Sequence, residues 1–227
     1  MATIVIIQAR MGSSRLPGKS LMLLNGEFLL KRVINNALRI DYADHVIVAT
    51  TSLKEDDVIE RYCNDINIKV FRGDKDNLLL RFVDASEAFD NIDNIIRLTA
   101  DNPILDIAIS KRLFQIHVNH KNDYTCIDGL SHIVFEVSKL RALRECLNLN
   151  ELSIIDKEHV TPFFRNGNNI FKSQILESNF CNLDPNFDEF LTVDTHSDYL
   201  RIEQMLAELR DDINLNNIYN WLKKKEL

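Results

Sequence analysis

Residues 1–21 read MATIVIIQARMGSSRLPGKSL. A run of β-branched residues from Thr3 to Ile7 passes directly into a loop that holds Arg10, Arg15 and Lys19 around Gly12 and Gly18. An apolar run without polar alternation reads as a strand covered on both faces. Three cations fixed at its carboxyl end by two glycines and Pro17 call for an anion to hold them together.

The loop falls short of a Walker A motif, G-x-x-x-x-G-K-[ST], by one specific difference. Five residues, Ser13 to Pro17, separate the glycines, and Pro17 takes one amide donor out of any cradle. A P-loop protein continues in a long helix, whereas here Asn25-Gly26 signals a hairpin turn soon after Lys19. The expected device is a different phosphate binder, in which the glycines let the backbone approach a polyphosphate. The arginines grip it by forked hydrogen bonds and the lysine acts as a point charge.

Working outward, residues 45–50 (HVIVAT), 68–71 (IKVF) and 93–98 (DNIIRL) repeat the character of 3–8 (TIVIIQ). Helical patterns near 28–40, 55–66 and 77–90 fall between them. The alternation predicts an α/β fold, a doubly wound and mainly parallel sheet with helices on both faces. Ligands in such sheets collect beyond the carboxyl ends of the strands, so the loops at 8–19, 50–56, 72–77 and 99–105 are expected on one rim.

From about 122 the rhythm changes. Strands near 122–126, 132–136 and 170–176 alternate with helices near 138–148 and 156–165, which predicts a smaller mixed second lobe with antiparallel pairing. Residues 190–193 read as a last strand that leads through Asp194 into a helix starting near Ser197, and 214–226 as an amphipathic tail. One domain, 1–227, is expected, with a nucleotide-binding half at 1–121, an acceptor-binding and dimerisation lobe at 122–189, and a return strand with terminal helices at 190–227.

With 34 acidic against 27 basic residues, the net charge of −7 argues against a general nucleic-acid surface. No stretch approaches the roughly 20 apolar residues that span a bilayer, and no signal peptide is evident, so a cytoplasmic protein is expected. Cys63, Cys126, Cys146 and Cys181 are too scattered for a zinc site or a disulfide framework and read as isolated buried thiols.

RLTADNP places Asp101 just past an apolar strand, and LTVDTHSDY places Asp194 just past Val193. Singly, each fits a turn or a helix cap. Together, beyond two strands on the rim of a polyphosphate loop, they suit Mg²⁺, which takes hard oxygen ligands and keeps some of its waters.

QARMGSSRLPGK (8–19) resembles the nucleotide-binding loop of the sugar cytidylyltransferases, the group of the CMP-Kdo and CMP-acylneuraminate synthetases and the spore-coat polysaccharide cytidylyltransferases. The likeness continues through VIVATT (46–51), VFRGDKDNLLLRF (70–82), RLTADNP (97–103), KEHVTPFF (157–164) and LTVDTHSDY (191–199). It implies the nucleotide-diphospho-sugar transferase, GT-A-like fold and transfer of CMP from CTP to an acidic sugar or related acceptor, with release of pyrophosphate. It also implies pairing of two chains into a homodimer.

By the same resemblance, Arg10, Arg15 and Lys19 hold the triphosphate, with the backbone at Ala9 and Gly12 against the nucleotide. Cytosine is read near Gly73 and Asp76, and Asp101 and Asp194 bind Mg²⁺. Arg97, which precedes the end of the strand before Asp101, fits either a nucleotide contact or a pair with a carboxylate. Asp128 and Gly129, in a D-G-L that borders the sugar pocket, fall on the acceptor side. His159 in KEHVTPFF fits either a packed side chain or a substrate contact. His117, His120 and His196 read as surface or capping residues.

The acceptor side departs from the pattern, for Ser131, His132 and Ile133 stand where spore-coat-like relatives carry acidic residues. Loss of negative charge there favours an anionic acceptor, with His132 either facing it or turned outward. An acceptor that is a sugar phosphate, alditol phosphate or phosphonate, and a nucleotide-binding relative without turnover, remain the alternatives. Removing Arg15 or Lys19 is expected to leave stability unchanged or raise it, since like charges are separated.

Overall fold

The structure, a computed structural model, describes residues 2–149, 152–166, 170–178, 186–210 and 212–225. The first half runs β1 (Ala2–Gln8), β2 (Leu23–Leu24), β3 (Glu27–Phe28), α1 (Leu29–Leu38), β4 (His45–Thr51), α2 (Asp57–Asp65), β5 (Lys69–Gly73), α3 (Leu78–Glu87) and β6 (Ile92–Thr99). It continues with α4 (Ile107–His120), β7 (Tyr124–Ile127), β8 (Glu136–Lys139), α5 (Leu140–Leu147), α6 (Ile154–His159), α7 (Pro162–Arg165) and β9 (Ser173–Leu176). Two helices, α8 (His196–Leu209) and α9 (Leu215–Lys224), end it.

Seven strands form one sheet in the order β5-β4-β1-β6-β8-β7-β9. The first four are parallel, β8 runs antiparallel between β6 and β7, and β7 pairs parallel with β9. The mixed second part thus continues the same sheet. Alternation along β1 explains the two layers: Val5 and Ile7 pack with α1, α8 and α9, and Ile4 and Ile6 with α3 and α5. All four are fully buried, each worth about 1.5–3 kcal/mol. Asn25 and Gly26 both have positive φ, 50° and 79°, and close the β2–β3 hairpin that separates this loop from a P-loop.

Three expectations change. Residues 190–193 are not a strand: a 3₁₀ turn, Phe187–Leu191, occupies the segment, and the Val193 amide makes a single bond to the Asp101 carbonyl at 2.9 Å. The strand expected at 132–136 starts at Glu136, because the Asp188 carboxylate captures the amides of Ser131 and His132, each at 2.9 Å, and holds them in a turn. The single helix expected at 156–165 is two, α6 and α7, broken at Val160, whose φ of 67° leaves the helical region, and Pro162 opens α7. The sequence reading also passed over α4, whose cap Asp106 accepts from Ile109 and holds the Leu215 amide at 3.0 Å.

Candidate functional site

Beyond the carboxyl ends of β1 and β6 lies a cleft of about 850 Å³. Gln8, Ala9, Arg10, Ser13, Ser14, Arg15 and Lys19 line it from the first loop, and Asp74, Asp76 and Arg81 from one flank. Arg97, Asp101 and Asp194 line its floor, and Ser131, His132, Lys157 and His159 the other flank. Residues 50–56 do not reach it. They support the first loop from below, the buried Asp56 carboxylate accepting the Met11 amide at 2.7 Å and bonding to the Thr51 hydroxyl. A Cβ on Gly12 would stand 2.6 Å from Glu55 Oε1, so the loop sits close against this turn.

The loop closes on itself through Met11, whose carbonyl accepts from both Ser13 and Gly18 at 2.9 Å. Gly18 has φ 75°, a conformation that favours glycine, and starts the 3₁₀ turn carrying Lys19. That turn drives Lys19 inward, leaving its side chain 10% exposed. Its Nζ donates to Asp101 Oδ2 at 2.6 Å, Asp194 Oδ1 at 2.8 Å and the Val193 carbonyl at 2.9 Å. Arg15, mostly exposed, reaches the other oxygen of Asp194 at 3.0 Å. Burial pushes the Asp101 carboxyl up, but the charge and hydrogen bond of Lys19 outweigh it and hold the group below the ordinary carboxylate value.

Asp101 and Asp194 therefore share one cation, and an oxygen of each points at it. No group of three or more His, Cys, Asp or Glu side chains converges among the described residues. Two carboxylates with open remaining positions suit Mg²⁺, which keeps waters or takes phosphate oxygens alongside one or two carboxylates. Asp194 is not itself the helix cap, for Thr195 caps α8 in a reciprocal box with Asp198.

Also on the floor, Arg97 donates to Glu136 Oε2 at 2.7 Å and to Gln8 Oε1 at 3.1 Å. Glu136 also accepts from Arg165 at 2.6 Å, Tyr124 at 2.7 Å and Thr161 at 3.1 Å. Burial pushes its carboxyl up, but the two arginines and Tyr124 bring it down to about 2. Thr161 follows Val160, a buried residue at φ 67° closed by a 2.7 Å bond from the Thr161 amide to the His159 carbonyl. A β-branched residue in this tight turn is strained. The turn, anchored through Thr161 to Glu136, sets His159 at the cleft wall with an exposed side chain.

His132 faces the cleft, with Nδ1 donating to the Asp188 carbonyl at 2.8 Å. Ile133 is fully buried and only packs. Asp128 and Gly129 do not line the cleft; Asp128 lies at the end of β7, 3.7 Å from Arg165. Gly12 and Gly73 support the cleft rather than line it. His117 is fully buried rather than on the surface, with Nδ1 2.9 Å from the Thr125 hydroxyl. His120 and His196 are exposed. Cys63, Cys126 and Cys146 are free and buried, and Cys181 lies outside the described residues.

Sequence reasoning missed Arg81, Glu136 and Asp188. The first two had a signal, since each is a lone charge in an apolar run, LLLRFV and IVFEV, where a buried charge has to find a partner. Asp188 had none.

No helix among the described residues is long and apolar enough to cross a membrane. The chain is 34% identical to the spore coat polysaccharide biosynthesis protein SpsF of Bacillus subtilis (strain 168), over 96% of this chain and 93% of that one. A solved cytidylyltransferase from Leptospira borgpetersenii serovar Hardjo-bovis (strain JB197) superposes with TM-score 0.86 at 25% identity, covering 100% of this chain and 95% of its own. The fold is shared with a CMP:2-keto-3-deoxy-manno-octonic acid synthetase solved with CTP, with TM-score 0.68 at 16% identity, over 92% of this chain and 99% of that one. The cytidylyltransferase family profile matches residues 4–222, and the chain belongs to that family.

Proposed function

We propose that the protein is a Mg²⁺-dependent enzyme that transfers CMP from CTP to a hydroxyl of an acidic sugar or related anionic acceptor. The observation that carries this reading is the single ammonium of Lys19 held by both Asp101 and Asp194 on the floor of a cleft edged by Arg10 and Arg15. In the reaction the acceptor oxygen bonds to the α-phosphorus, the bond from that phosphorus to the bridging oxygen breaks, and pyrophosphate leaves with the electron pair. The hydroxyl proton passes to solvent.

Arg10, Arg15 and Lys19 take up the charge that moves onto the departing pyrophosphate, where positioned donors act most strongly. A divalent ion on Asp101 and Asp194 supplies charge stabilisation at the phosphoryl oxygens. The backbone at Ala9 lies along the nucleotide with Gly12 behind it, and residues 74–77, among them Asp76, face the base with Gly73 behind them. Asp74 preorganises that loop by accepting the amides of Asp76 and Asn77 at 2.7 Å.

The acceptor lies against Ser131, His132, Lys157 and His159, with Arg97 beneath and Asp128 and Gly129 outside the wall. The Nδ1 hydrogen of His132 is spent on Asp188, so the neutral ring presents Nε2 as an acceptor for a hydroxyl, and protonation converts it to a donor. Lys157 offers a cation to an anionic acceptor on this side, where Glu158 also lines the cleft. Pyrophosphate release from CTP, measured with acceptor pairs that differ only in a carboxylate or phosphate, tests the reading. The anionic member should react faster, and a faster neutral member would overturn the preference.

A further inference from the structure

Lys19 and Arg15 are already neutralised by Asp101 and Asp194. Three other cleft cations, Arg10, Arg81 and Lys157, have no ion pair among the described residues. Arg10 and Lys157 are exposed, but Arg81, the fourth residue of α3, is 4% exposed. Its Nη1 donates to the Asp74 carbonyl at 2.9 Å, and its Nε is buried with no hydrogen-bond partner.

A buried guanidinium that lacks a carboxylate is costly, and such a group normally sits in a bidentate pair. The carboxylates nearest in effect are spent elsewhere, Asp56 on Met11 and Thr51, and Asp74 on the amides of its own loop. Burial, and next to it the charge of Arg10, push Arg81 down to about 10. The stem is seated by design: a Cβ on Gly73 would come within 2.9 Å of Arg81 Cγ. The backbone opposite offers donors as well, since the amides of Gly12, Ser14 and Arg15 have no hydrogen-bond partner among the described residues.

We propose that Arg81, acting with Arg10, is a polyphosphate-binding residue, and that this pair grips the triphosphate in the metal-free protein while Arg15 and Lys19 are held by the two aspartates. The proposal deepens the CTP reading and rests on it. It places a phosphate contact on α3, opposite the first loop, so the polyphosphate is held from two elements of the fold.

The experiment titrates inorganic tripolyphosphate, and separately cytidine, into EDTA-treated protein by calorimetry. Arg81→Met and Arg10→Ala should each weaken tripolyphosphate by about tenfold to a hundredfold, the worth of one hydrogen bond to a charged group. Arg81→Lys, which keeps the charge and loses the fork, should fall between wild type and Arg81→Met, and it keeps the test valid if Arg81→Met folds poorly. Arg15→Ala should lose less than Arg10→Ala. Cytidine affinity should be unchanged in all of them.

Tripolyphosphate binding at wild-type strength in both Arg81 variants would overturn the proposal. So would an equal loss of cytidine, which would make Arg81 a base contact. Failure of the CTP reading is a separate result: no pyrophosphate release from CTP by the wild type with any acceptor, whatever tripolyphosphate does.

Discussion

The Lys19 ammonium stands 2.6 Å from the Asp101 carboxylate, on a side chain that β1 and its loop have turned into the protein. Viewed in sequence, Lys19 is one of three crowded cations. In the fold it is the counter-ion of two carboxylates, and the sign of its contribution to stability reverses.

Lys19→Ala should therefore destabilise the metal-free protein by about 1–3 kcal/mol, because Asp101 loses its cation and faces Asp194, which keeps only the exposed Arg15. Arg15→Ala, removing an exposed pair, should cost no more than about 1 kcal/mol. The same Lys19→Ala protein should bind Mn²⁺ more tightly than wild type, having lost the competing cation, yet release pyrophosphate more slowly. Chemical denaturation in EDTA and a Mn²⁺ titration check the two halves, and an undiminished stability would refute the counter-ion role.

Asp101→Asn and Asp194→Asn should each keep the fold, since Lys19 retains the other carboxylate, and each should lose most Mn²⁺ affinity and most activity. Full Mn²⁺ affinity in either variant would remove that residue from the metal site.

Stability should fall with acid in two windows. Burial pushes buried His117 down to about 4, with Lys139 adding to the effect, so from its unfolded value of about 6.5 down to about 4 the unfolded chain binds the proton first. This costs about 2 kcal/mol by pH 5. Glu136, brought to about 2, gives stability that is complete above its unfolded value of about 4.3 and is lost as pH falls through about 2. Denaturation of His117→Gln should lack the upper window, and a variant as pH-sensitive as wild type between 6.5 and 4 would show that another group is responsible.

Gly73→Ala should destabilise the protein by about 1–3 kcal/mol, because the added Cβ would stand 2.7 Å from Phe71 Cε1 and 2.9 Å from Arg81 Cγ. If Arg81 is displaced, tripolyphosphate affinity falls with it. A Gly73→Ala protein as stable as wild type would mean that the ring and the arginine stem yield without cost.

The parallel half of the sheet was legible because β1, β4, β5 and β6 are short apolar runs separated by helical patterns and turn signals. The carboxylates were legible because each follows such a run. Segments governed by distant partners were not: Asp188 reaches back to residues 131 and 132 and turns an apparent strand into a loop. His117 lies on the inner face of α4 with Ser110 and Leu113, but its partner Thr125 stands on β7, eight residues on. The role of Lys19 was hidden for the same reason, since its partners lie 82 and 175 residues away.

The most direct test of the account is pyrophosphate release from CTP with Mg²⁺ across a panel of sugar acids and phosphorylated polyols, comparing wild type with Asp101→Asn. The account predicts CTP-dependent release by wild type with at least one anionic acceptor, abolished by EDTA and nearly absent in Asp101→Asn. Release that persists undiminished in Asp101→Asn, or a wild type that releases none from CTP with any acceptor, would contradict it.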